Sequence, residues 1–341
     1  MRDELARYRP GRGQRKFYAG FHTDLEEFVL RPGKRIRPLL FLQACASFDP
    51  ACDPLDPDLL RTAAGLEFLH AFILIHDDII DRSVMRRGLP CLHHKLDRRL
   101  AGMTGNDGLA IVMGDMLFAI SQRILISTCL PESTQENVVQ SVLGAVFDTG
   151  IGEIADVVFG AKNIAEVDIE DIEEMYYLKT TRYTFEMPLV LAAAVMQQPS
   201  SVYAELCAVT KPVGLAFQMQ NDLAEFSLVA DGDNGFCADL SGGKKTILLR
   251  LAWELLDERG RAQLGDALRT SDTESNVTKL TELIASSGAP VVVADRMNDR
   301  FIEAEERLQG SRLPEDTKVC LSEMFELIRC AIGRGVPTSG D

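Results

Sequence analysis

The stretch HAFILIHDDIIDRSVMRRG, His70 to Gly88, constrains this chain more than any other. Phe72, Ile73, Leu74, Ile75, Ile79 and Ile80 suit the buried side of a helix, whereas Asp77, Asp78 and Asp81 do not. Asp77 and Asp81 are four residues apart, so on a helix they stand one above the other, with Asp78 beside them. Like charges stacked in this way repel, and burial makes the repulsion worse. Such a cluster is tolerable on an exposed face or around a cation. Carboxylate oxygens alone suit Mg2+, which also takes phosphate oxygens of a substrate. A lone DxxxD is common on charged helix faces, so the surrounding sequence has to decide.

A second patch repeats the spacing. In FQMQNDLAEF, Asn221 and Glu225 are four apart and Asp222 follows the first. All three offer hard oxygen ligands, and two such patches on facing helices could hold several Mg2+ ions around a diphosphate. Basic partners sit beside glycines: Lys34, Arg35 and Arg37 in GKRIRP, Arg86 and Arg87 in RRG, Lys179 and Thr180 as a KT pair, and Lys244, Lys245 and Thr246 in GGKKT. Surface ion pairs would account for some of these at little gain in stability. In a chain of formal net charge -15, four basic clusters beside glycines point instead to anion sites. Arginine forks match phosphate geometry, and lysine acts as a point charge. GxxxxGK[ST], GxSxG, HExxH and GxGxxG are all absent, so P-loop, serine-hydrolase, zincin and dinucleotide chemistries have no support.

Helical periodicity runs through most of the chain. DLLRTAAGLEFLHAFILIHDDIID, QENVVQSVLGAVFDTGIGEIADVVFG, DIEDIEEMYYLKTTRYTFEMPLVLAAAVM and SVYAELCAVTKPVGLAFQMQNDLAEFSLVA all carry apolar residues at three- and four-residue spacing. Pro188 should mark a kink or a new start. No sustained two-residue alternation is present, so few strands are expected. The Gly/Pro-rich breaks are too short for interdomain linkers. They predict one all-α domain over residues 1–341, a helical bundle with its motifs in residues 30–250 and structural helices over 251–335. The acidic balance argues against a nucleic-acid partner. No apolar stretch reaches the roughly 18 uncharged residues of a membrane span, and the N-terminus lacks an apolar signal region. Eight scattered cysteines without CxxC spacing suit reduced thiols in the cytoplasm.

Taken together in their order and spacing, GKRIRP, HDDIID with RRG, Gly114–Asp115, GEIAD at 152–156, KT at 179–180, FQMQNDLAE at 217–225 and DLSGGKKT at 239–246 resemble the trans-isoprenyl diphosphate synthases, the polyprenyl synthetase family. The resemblance implies a fold around a deep central cavity, usually as a homodimer. It implies a Mg2+-dependent prenyltransferase, with about three ions per site, that joins an allylic diphosphate to isopentenyl diphosphate head to tail. By the same resemblance, Asp77, Asp78 and Asp81 bind Mg2+ on the allylic diphosphate, as do Asn221, Asp222 and Glu225. Arg86, Lys179 and Lys244 contact that diphosphate. Lys34, Arg37, His70 and Arg87 hold isopentenyl diphosphate, and Thr180 and Gln218 steady the carbocation. Phe72 lies five residues before Asp77, about 140° around the helix, where the family often places an aromatic floor that limits chain length. Phe72 followed by the non-aromatic Ile73 resembles the geranylgeranyl (C20) type.

Two departures stand out. The second motif is usually DDxxD, and here Asn221 replaces the leading aspartate while Glu225 closes the motif. A lysine expected about five residues before DL is Asn234. One anion and one cation are lost, so local charge stays balanced. Asn also leads the metal motif of class I terpene cyclases, although Val229 stands where their glutamate would be. Transfer of the prenyl group to another acceptor such as an indole, cyclisation, and a non-catalytic partner subunit are therefore the alternatives to a C20 synthase.

Overall fold

The computed structural model describes residues 1–8, 15–100, 106–126, 132–230, 243–269 and 274–330. Among these the fold is all-α, as the periodicity predicts, and the strands amount to one hairpin, Met85–Arg86 against Leu89–Pro90. The described residues fall into two compact units, 1–139 and 140–341, with the boundary inside one long helix.

The first unit contains α1 (Arg2–Arg7), α2 (Arg15–Leu30), α3 (Ile36–Phe48), α4 (Pro57–Ile80), the hairpin strands β1 and β2, α5 (Leu92–Arg99), α6 (Asn106–Ile126) and the start of α7 (Glu132–Gly160). Helix α4 starts sharply. The Asp56 side chain accepts from the backbone N–H groups of Asp58 and Leu59, and Pro57 occupies the first turn, where its missing N–H costs nothing. From Thr62 to Leu69 every residue of α4 is buried. A helix apolar on all sides belongs in a core, and α4 packs along α6, with Phe68, Leu117 and Ile124 in the shared cluster. Gly65 lets the two helices close: a Cβ there would lie 2.9 Å from Ile124 Cγ2 and 3.0 Å from Leu125 Cδ2.

Two helices, Pro57–Ile80 and Asp107–Ile126, are long and apolar enough to cross a membrane by length and composition, with mean hydropathies of 1.3 and 1.7. Charged residues interrupt both helices, so no uninterrupted apolar run marks them in the sequence. Glu67, for instance, interrupts α4, yet it is buried and ion-paired with Arg35.

The second unit holds the rest of α7, a 3-10 turn (Ile164–Glu166), α8 (Ile169–Tyr176), a π-helical segment (Tyr177–Glu186), α9 (Met187–Val195), α10 (Ser200–Ala230), α11 (Ile247–Leu255), α12 (Glu258–Leu268), α13 (Glu274–Ser287), α14 (Ala289–Gly310) and α15 (Glu315–Cys330). Pro188 sits in the first turn of α9 and so marks a new start. The π segment bears the KT pair. Long π segments are rare and recur at functional sites. Helix α10, which bears the second acidic patch, packs on α14 and on the π segment. Gly214 on α10 leaves room for the buried Thr181, whose Oγ1 would be 2.2 Å from a Cβ there.

Gly65→Val should overpack the α4–α6 contact and cost about 1–3 kcal/mol. Urea denaturation checks this; an unchanged midpoint would mean that the two helices can separate without cost.

Candidate active site

In the first unit, the three aspartates of the opening stretch have unequal surroundings. Asp78 is 1% exposed. Arg86 Nε donates to its Oδ1, and Arg86 Nη2 donates to Asp77 Oδ2 at 2.8 Å. Burial pushes the Asp78 carboxyl up to about 6, and the Arg86 charge opposes that rise. The same carboxylates push the Arg86 guanidinium above its ordinary range, although its burial works the other way. The Cys91 thiol also bonds to Asp78. Asp77 and Asp81 are only partly buried. Asp81 ends α4, and its N–H donates to Asp77 O at 2.8 Å.

The hairpin that follows explains RRG. Arg86 pairs with Leu89, leaving Arg87–Gly88 as a two-residue loop with φ of 55° and 74°. Two positive φ values are the mark of a type I′ turn, and glycine suits its second position. Arg87 pays for its left-handed backbone and gains a fixed direction for its guanidinium. Arg35, at the N-cap of α3, has φ 50°. Non-glycine residues held there cluster at functional sites.

Both strained arginines line one cleft, together with Arg31, Glu67, His70, Arg86 and the apolar Phe28, Val29, Ala71 and Leu74. Burial holds the His70 imidazole well below its usual range, and Arg37, Arg87, Arg86 and Arg35 add to the effect by their charge. His70 is therefore a neutral hydrogen-bonding group among arginines. Of the expected isopentenyl diphosphate residues, His70 and Arg87 line the cleft. Arg37 is buried within electrostatic reach of His70, and Lys34 is exposed on the turn before α3. Arg35 belongs to the GKRIRP cluster singled out from sequence, whereas Arg31 carries no such signal. Gly33 leaves room for Arg87: a Cβ there would stand 2.6 Å from the guanidinium carbon. The aromatic Phe72 is half-buried, packs at a tilt against Phe118, centroids 5.1 Å apart, and meets His76 edge-on at 4.7 Å. Ile73 is half-buried beside it.

The second unit gathers the remaining residues. Lys179 Nζ lies 2.8 Å from Glu153 Oε2 and 2.6 Å from Asp156 Oδ2, and Lys244 Nζ is 3.9 Å from the same Asp156 oxygen. GEIAD thus supplies the carboxylates that aim the two lysines. Gly152 permits this, since a Cβ there would meet the Lys179 backbone nitrogen at 2.3 Å. Thr180 Oγ1 donates to Gln218 Oε1 at 3.1 Å, and Gln218 Nε2 donates to Asp222 Oδ1 at 3.0 Å. Asp222 is 5% exposed, whereas Asn221 and Glu225 are partly open. Asn234 and residues 239–242 lie outside the described residues, as does the side chain of Val229.

Each acidic patch by itself presents partly buried side-chain oxygens, Asp77 and Asp81 in the first unit and Asn221 and Glu225 in the second, and oxygen donors suit a hard divalent cation such as Mg2+.

The family model for polyprenyl synthetase matches residues 21–285. A short chain isoprenyl diphosphate synthase of Methanothermobacter thermautotrophicus is 28% identical, over 83% of this chain and 82% of its own length. A geranylfarnesyl diphosphate synthase of Aeropyrum pernix is also 28% identical, over 83% and 84%. Among solved structures, a geranylgeranyl pyrophosphate synthase from Corynebacterium glutamicum, complexed with isoprenyl diphosphate and magnesium, superposes with a TM-score of 0.80. It is 26% identical and covers 96% of each chain. The chain belongs to the polyprenyl synthetase family and is a trans-prenyltransferase.

Proposed function

We propose that this trans-prenyltransferase condenses an allylic diphosphate with isopentenyl diphosphate, head to tail, and stops at geranylgeranyl diphosphate. The observation that carries the proposal is the double role of Arg86. Its guanidinium holds Asp77 and Asp78 and also lines the arginine-rich cleft with His70 and Arg87. An acidic, metal-ready face and a basic, diphosphate-ready cleft thus adjoin through one side chain.

The residues then divide the work. Lys34, Arg37, His70 and Arg87 hold isopentenyl diphosphate, helped by Arg31 and Arg35. Arg forks take phosphate oxygens in pairs, and neutral His70 donates without adding a repelling charge. The allylic diphosphate is held by Arg86, Lys179 and Lys244. Bound Mg2+ would neutralise the leaving diphosphate, with Asp77 and Asp81 open to it on one patch, Asn221 and Glu225 on the other, and Asp78 and Asp222 bracing them from behind. The allylic C1–O bond breaks and leaves a cation, which Thr180 and Gln218 face with oxygen dipoles. The isopentenyl double bond attacks C1, and the proton lost from the adduct passes to the released diphosphate.

The Phe72–Phe118 ring pair supplies the chain-length limit, because the growing hydrocarbon runs back along α4 from Asp77. A homodimer completes the assembly. Leu143, Phe147, Ile151, Ile154 and Val158 recur every three or four residues along α7 and are 40–70% exposed. A continuous apolar stripe of that kind marks an interaction surface, and a second copy covers it.

Incubation with Mg2+, isopentenyl diphosphate and each allylic diphosphate from C5 to C20, read by mass spectrometry, should show elongation that stops at C20. Loss of an allylic diphosphate without elongation would instead mark another acceptor or cyclisation. Phe72→Ala should shift the product to longer chains; an unchanged distribution would remove Phe72 as the limit. Sedimentation should give twice the 37.6 kDa chain mass, and a monomer would sink the dimer.

A further inference from the structure

Tyr176 is the last residue of α8, three residues before Lys179, and it is 3% exposed. No motif in the sequence points to it. Its hydroxyl donates to Asp222 Oδ2 and accepts from the backbone N–H of Ile247 at 3.1 Å. Ile247 is the first residue of α11. Its N–H is one of those a helix start leaves without an intrahelical partner. One phenol thus satisfies a buried carboxylate and a helix end together.

The bonds converge on Asp222 from two sides. The N–H of Ile247 donates to Tyr176, Tyr176 donates to Asp222, and Asp222 accepts from Gln218, which accepts from Thr180. Lys244 lies three residues before Ile247, and its ammonium approaches Asp156. The phenol therefore ties the aspartate of the second acidic patch to the backbone segment that carries a diphosphate-facing lysine. Thr246 adds stiffness there, since its Oγ1 accepts from Leu249 N at 3.2 Å and caps α11.

We propose that Tyr176 is a positioning residue for the allylic-diphosphate side of the site, fixing Asp222 and the start of α11 in one register. This rests on reading Asn221, Asp222, Glu225 and Lys244 as the groups that hold the metal-bound diphosphate. With Asn221 in place of an aspartate, that patch has one charge fewer to hold its cation, so the orientation of the remaining oxygens matters more. A purely structural tyrosine would affect both substrates alike. A positioning tyrosine affects one, because the isopentenyl diphosphate cleft is built from first-unit residues.

Tyr176→Phe keeps the ring and removes the hydroxyl. The full-length variant should bind inorganic diphosphate in the presence of Mg2+ roughly tenfold more weakly by calorimetry, the loss expected for one hydrogen bond to a charged group. The KM for the allylic diphosphate should rise to a similar extent, and the KM for isopentenyl diphosphate should stay unchanged. Tyr176→Met, which fills much of the same volume, should give the same split. Unchanged diphosphate affinity, or two KM values that rise together, would overturn the proposal. If the unmodified protein binds Mg2+-diphosphate but does not elongate, the proposed reaction fails while the calorimetric comparison still tests Tyr176. If it does not bind Mg2+-diphosphate at all, both fail.

Discussion

A carboxylate sealed inside an apolar helix end is the constraint from which the first half of the site follows. Asp78 is almost fully buried, and an isolated charge there would cost several kcal/mol. Arg86 offsets that cost by donating to Asp78 and Asp77 at once. To reach them it must leave a strand directly before a tight turn, which forces Arg87 and Gly88 into positive φ. The turn aims Arg87 into the cleft where His70 stays neutral. One buried ion pair therefore sets the direction of two arginines and leaves Asp77 and Asp81 as the more exposed carboxylates of the motif.

The second unit solves a similar problem with lysine. Lys179 sits between Glu153 and Asp156, and Lys244 approaches the same aspartate. Buried or half-buried cations kept near carboxylates are already desolvated and directed before any ligand arrives, which favours electrostatic stabilisation of developing charge. Close backbone approach makes this possible: Gly152 admits the Lys179 backbone, and Gly214 admits Thr181. The π segment that carries Lys179, Thr180 and Arg182 is anchored by a further network, in which Arg182 bonds to Asp148 and to the buried Glu186.

Much of this was legible in the sequence. Helical class followed from periodicity, and the motifs marked Asp77, Asp81, Arg86, Arg87, Lys179 and Lys244 by type and spacing. Tertiary partners were not legible. Spacing puts Asp77 and Asp78 side by side, and only packing shows that Asp78 is inside and Asp77 is partly outside. Arg31 looks like an ordinary surface charge until the cleft forms around it. GEIAD was visible as a motif, but its carboxylates had no role until α7 lay against the π segment. Tyr176 carried no local signal, since its hydroxyl bridges residues 46 and 71 positions away in sequence. The apolar character of helices α4 and α6 is hidden in the sequence, because charges such as Glu67 interrupt their composition without preventing burial.

The most direct test of this account is a double-mutant cycle on Arg86 and Asp78, read by equilibrium urea unfolding. Arg86→Met alone should cost about 3–5 kcal/mol, because it leaves Asp78 buried and unpaired. Asp78→Asn in that background should restore a large part of the loss, with a coupling energy well above the roughly 0.5 kcal/mol of independent sites. Additive losses would contradict the account, because they would mean that Arg86 does not hold the first acidic motif in place.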